Sequence, residues 1–147
     1  MAKFKAELPT EVIKSIESIS NNTRKIFGEM TTAGAETVYK NIVNFAPAGM
    51  KQSPELMSCL RITKVYETPS DGGINTKVLF SGYFTNRNGV KTPAPLVANV
   101  FEYGRSAESK HGEIVKQPFL RRSFNKSQIE KAMYEAQKKA SGGLLNE

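Results

Sequence analysis

Residues 74–84 read Ile74-Asn75-Thr76-Lys77-Val78-Leu79-Phe80-Ser81-Gly82-Tyr83-Phe84. Ile74, Thr76, Val78 and Phe80 alternate with Asn75, Lys77, Leu79 and Ser81. A period of two is the signature of a strand with one buried face. Upstream, Leu56–Thr68 carries Leu60, Ile62, Val65 and Tyr66 and is equally rich in strand formers. Between the two runs lies Pro69-Ser70-Asp71-Gly72-Gly73, a dense turn signal. The pair is predicted to form an antiparallel hairpin, which puts a sheet into an otherwise helical reading. Asn86-Arg87-Asn88-Gly89 reads as a second turn or a flexible loop. Lys91–Pro95, with two prolines, cannot be a central strand.

The flanking segments change period. Over residues 10–27, Val12, Ile16, Ile19, Ile26 and Phe27 keep helical spacing, with Thr10 as N-cap and Glu11 in the first turn. Gly28 and Thr31-Thr32 weaken the pattern. It resumes at Ala35, Val38, Tyr39, Ile42 and Val43 and stops at Ala46, because Pro47 disfavours helix in the residue before it. The reading is one long helix bent near 28–34, or two in tandem, with the apolar stripe as core. Leu96, Val97, Val100 and Phe101 predict a short helix opened by Pro95 and closed by Gly104. Residues 105–116 are polar and expected to be mobile. Pro118 opens a last helix with Leu120, Phe124, Met133 and Ala136 on its apolar side, ended by Ser141-Gly142-Gly143. The expected fold is α+β: a long N-terminal helix, a small antiparallel β-sheet, a short helix, and a C-terminal helix packed on the sheet. One domain spans 1–147, with 1–9 and 141–147 as flexible ends.

Composition narrows the function. For 147 residues, the expected folded surface is about 7,500 Å² against about 23,500 Å² extended, enough burial for one modest core. One Cys permits no intramolecular disulfide and no thiolate zinc site. The N-terminal MAKFKAELP has no hydrophobic run, so no signal peptide and no membrane association are expected, and the chain is expected in the cytoplasm of the cell that makes it. The net charge is +7. Residues 105–140 hold nine bases against four acids. Such a segment suits nucleic acid, an acidic protein partner, or simply a solvated helix face.

Catalytic constellations are scarce. His111 stands alone in a polar loop, and Cys59 lies in a β-like run with no nearby His, as a buried small hydrophobe does. Asp71-Gly72-Gly73 joins two strands and opens no helix, so it is no phosphate loop. Glu102 has no carboxylate partner at a convincing spacing. No enzyme activity, cofactor or metal is expected. Arg121, Arg122, Lys126 and the terminal lysines leave a basic, sequence-nonspecific nucleic-acid-binding domain as the alternative reading.

Three segments in order resemble the small neck and tail-completion proteins of long-tailed bacteriophages, also described as minor tail components or head–tail joining proteins. The first is Ala46-Pro47, a loop, then Leu56-(x)3-Leu60-Arg61, with Ser53-Pro54 where the family has Thr-Gly. The second, Ala98-Asn99-Val100-Phe101-Glu102-Tyr103-Gly104, is similar to the family's Ala-x-x-Val-Glu-Phe/Tyr-Gly-Thr, with Arg105 in place of Thr. The third, Gln117-Pro118-Phe119-Leu120-Arg121-Arg122, is similar to Pro-Phe-Leu-Arg-Pro-Ala, with Arg122 in place of the second Pro. The resemblance implies a structural virion protein at the head–tail junction, whether neck ring, completion factor or tail terminator. It implies a homo-oligomeric ring, by resemblance a hexamer, assembled in the host cytoplasm. Its partners would be a head-completion or connector protein and the tail tube or tail terminator, with DNA passing through the lumen without sequence-specific contact.

The motif residues also have a physical reading. Gly104 can take φ > 0 after the helix, and Pro118, Phe119 and Leu120 would pin the last helix to the sheet. Glu102 near a helix C-terminus opposes the macrodipole, so either a cation compensates (Arg105, Arg121 or Arg122) or its carboxylate points to water. A closed ring needs two unlike faces. The basic segment 105–126, with Arg105, Arg121 and Arg122 and with Glu102 beside them, is expected to supply one, while Tyr103 belongs with Gly104 to the structural motif. The N-terminal helix, with Glu11, Glu17 and Glu29, is expected to supply the other.

Overall fold

A computed structural model describes residues 7 and 9–142. Its first element, α1, runs unbroken from Thr10 to Phe45. Neither a break nor a tandem junction appears at 28–34, although Thr31 and Thr32 both donate their hydroxyls to the Gly28 carbonyl, at 3.1 and 2.8 Å. Those bonds stay within the helical turn and leave its ladder intact. Thr10 is the first helical residue and not the cap: Pro9 precedes the helix, with no side-chain cap bond. The helix ends where Pro47 requires, with Ala46 at φ −53°, ψ 133°.

Two single-turn helices, α2 (Ala48–Lys51) and α3 (Pro54–Met57), lead into the sheet. The Ser53 side chain caps α3 by accepting from the Leu56 amide. The hairpin forms as two antiparallel ladders in series. β1 (Leu60–Ile62) pairs with β4 (Val78–Phe80), and β2 (Tyr66–Glu67) pairs with β3 (Ile74–Asn75). They part around Thr63, whose amide reaches the Lys77 carbonyl at 2.8 Å while its hydroxyl accepts from the Lys77 amide at 2.9 Å. A second hairpin joins β5 (Tyr83–Thr85) to β6 (Lys91–Pro93) around the Asn86–Gly89 turn. Asn86 Oδ1 shapes that turn by accepting from the Asn88 and Val90 amides. The proline-containing strand β6 has a single neighbour, as a missing N–H demands.

α4 (Ala94–Tyr103) follows directly, and Gly104 at φ 81° stops it. The C-terminal helix expected on the sheet is instead two helices with different supports. α5 (Phe119–Ser123) packs on α1 and α4 and sends Phe119 onto β4, where it meets Phe80 edge-on with ring centroids 6.3 Å apart. α6 (Lys126–Ser141) lies along α1. The chain breaks at Asn125, whose side chain caps α6 by accepting from the Gln128 amide. This break turns Phe124 out of the expected apolar side: it is exposed, and Ile129 is the buried anchor.

α6 runs antiparallel to α1, since Gln128 bonds Asn41 while Met133 sits at Gly34. Gly34 is where the two helices touch. A Cβ there would stand 3.2 Å from Met133 and 3.3 Å from Ile129. At about 1.5 Å per residue, α6 ends opposite residue 26 or so of α1. The N-terminal part of α1 therefore projects beyond it. Residues 10–21 are all exposed. The stripe expected in the core is outside it there: Val12 is 41% exposed, Ile16 55%, Ile19 61% and Phe27 46%.

The core is one cluster. Ile42, Met50, Leu56, Leu60, Phe80, Phe84, Ala94, Ala98 and Phe119 bury one another between the second half of α1, the strands, α4 and α5.

Candidate assembly surface

The second and third sequence motifs meet in space. α4 buries Glu102, which is 5% exposed, and points it at the start of α5. Its carboxylate accepts from the Leu120 amide at 2.8 Å and from the Arg121 amide at 3.2 Å. The first amides of a helix lack intrahelical acceptors and carry its partial positive charge. Glu102 thus caps a helix other than its own. The expected compensating cation is replaced by backbone N–H groups, and the alternative of a solvated carboxylate is excluded by the burial. An interface role for the Glu102 side chain is corrected for the same reason: both its oxygens are used inside the fold.

Gly104 makes the junction possible. At φ 81° a Cβ would lie 2.9 Å from the Ile114 carbonyl and 3.0 Å from the Lys116 amide. Only glycine allows that approach. Beyond it, Gln117 donates its amide to the Phe101 carbonyl at 2.8 Å, and Pro118 precedes α5. Phe119 is 2% exposed and Leu120 packs half-buried on the core. Tyr103 projects outward, 71% exposed.

Residues 105–116 are not a bare loop. Arg105 and Ile114 exchange both backbone bonds, at 2.8 and 3.0 Å. The Arg105 guanidinium turns inward to the Gly112 and His111 carbonyls, at 2.8 and 2.6 Å. Arg105 is therefore engaged in closing its own loop. Arg121 and Arg122 are exposed, and neither is in an ion pair among the described residues. They keep the free guanidinium groups that the interface expectation requires.

Val115, 69% exposed, and Tyr103 line a shallow depression of about 360 Å³ with Arg105, Glu113 and Lys116 on its walls. Leu96 is 56% exposed and lies seven residues before Tyr103, on the same face of α4. The molecule thus presents an outer apolar patch on α4 beside a basic edge. It also presents a second, distant apolar face on the projecting half of α1. Sequence reading assigned that second face to the core. The available signal was length: a stripe longer than the chain's other helices cannot all be covered by them.

The residues with catalytic chemistry lie apart. Cys59 is buried, with its thiol 3.4 Å from the Glu55 carbonyl and 3.8 Å from that of Tyr83. His111 is exposed on its loop. Among the described residues no group of three or more His, Cys, Asp or Glu is placed to hold a metal ion. None of their helices is long and apolar enough to cross a membrane. Comparison with protein-family models, with curated proteins and with solved structures finds no match to this chain.

Proposed function

We propose that this chain is a structural virion protein of a long-tailed phage, working as a cyclic joint between the head connector and the tail tube. The observation that carries the reading is the Glu102–α5 junction. Glu-Tyr-Gly and Pro-Phe-Leu, the two motifs with the strongest family resemblance, are joined there through buried Glu102 and Phe119. A motif pair that builds a rigid corner, with Tyr103, Arg121 and Arg122 left exposed on it, suits a piece that acts through surfaces. DNA passes through the ring without base-specific contact. No catalytic step is proposed.

Imaging of virions tests this directly, with the chain expected at the head–tail junction in several symmetric copies. The basic surface of Arg121, Arg122 and α6 favours a second reading, direct nucleic-acid binding. That reading requires affinity for DNA that falls steeply between low and physiological salt.

A further inference from the structure

We propose that the projecting half of α1 seats on the outer face of α4 in the next copy of this chain. The inference rests on the ring reading and names its contact. On α1, Val12, Ile16, Ile19, Thr23, Ile26 and Met30 are spaced four, three, four, three and four residues apart. That is the seam of a helix made to pack along another helix. From Thr23 onward its residues are half-buried within this molecule, while Val12, Ile16 and Ile19 are bare. The residues flanking the bare part (Ile13, Ser15, Ser20 and Asn22) carry no charge. The bare seam therefore wants a helix, and a short one.

α4 offers it. Leu96, Val100 and Tyr103 repeat the same four-three spacing on its outer side, and Val115 widens the patch. At about 1.5 Å per residue, Leu96 to Tyr103 and Val12 to Ile19 span the same length, roughly two turns. The charges match as well. Lys116, Arg121 and Arg122 are exposed near the C-terminal end of α4, whereas Glu11 and Glu17, beyond the uncharged flanks of the seam, are the acids of the bare half of α1, with Lys14 as the sole base between them. The two faces are unlike, and the contact is head-to-tail, so it repeats from copy to copy until it closes. A self-paired seam would instead stop at a dimer.

Disulfide linkage of the purified full chain at high concentration reads the contact. Ile19→Cys and Tyr103→Cys sit at exposed positions, so neither threatens the fold, and buried Cys59 stays out of the chemistry. The double variant is expected to give a ladder extending beyond the dimer under mild oxidation, while each single variant stays monomeric. The pair Val12→Cys with Leu96→Cys repeats the test about two turns along. A dimer from Ile19→Cys alone would overturn the proposal in favour of a self-paired seam. No linkage from either double variant would overturn it outright. The head–tail assignment is read separately, from the presence of the chain in virions, so the two can fail independently.

Discussion

Glu102 carries the sharpest consequence of the fold. Its carboxylate is the acceptor for two amides at the start of α5, and it sits where water does not reach. Glu102→Ala strands those donors, each costing about 1–3 kcal/mol when left buried and unpaired. The variant should melt well below the parent, and Glu102→Gln, which keeps one carbonyl oxygen, should fall between them. Gly104→Ala should also lower the melting temperature, by more than the roughly 1 kcal/mol of an ordinary positive-φ substitution, because the added methyl meets backbone on two sides. Phe119→Ala should cost about 3–5 kcal/mol, measured by denaturant unfolding, since the ring is buried against Phe80. At this scale the sequence was informative about residue type and poor about partners. Gly104 was legible because only glycine tolerates its conformation. The partner of Glu102 was not, because an amide that needs a cap belongs to every helix start and leaves no mark in the side chains.

Elements were easier to find than to place. The apolar periods located α1, α4 and the hairpin, and the prolines and glycines fixed most of their ends. What a period cannot say is which face finds a partner. The stripe on α1 runs from Val12 to Ile42, weakened only around Gly28–Thr32, yet its second half is in the core and its first half is bare. The difference lies in α6, whose 16 residues cover less than half the length of a 36-residue helix. The misplacement of α6 itself traces to Phe124, which continues an apolar pattern but falls at the Asn125 cap. Two variants separate the halves of α1. Ile19→Asp, in the bare half, should change unfolding free energy by no more than about 0.5 kcal/mol. Gly34→Leu, at the crossing with Met133 and Ile129, should push α6 off α1. Limited proteolysis should then cut after Lys131 or Lys138 at protease levels that leave the parent intact.

At the scale of the molecule, exposed apolar surface and basic charge sit on a body with one modest core. Apolar faces on the first half of α1 and on α4 lie far apart and are unlike in their charged surroundings, as a cyclic assembly requires of its subunits. Charge reversal at Arg121 and Arg122 should leave melting unchanged, because neither side chain is buried or paired, yet yield unjoined heads and tails. Infectious particles from that double variant would remove the basic corner from the joint. The proposed class rests on short motifs whose geometry could be read only after folding. The most direct measurement is reconstruction of intact virions with this chain located by a label on an exposed residue. The account predicts a closed ring of identical copies between head and tail tube. Absence of the chain from the junction, or its presence there as a single copy, would contradict it.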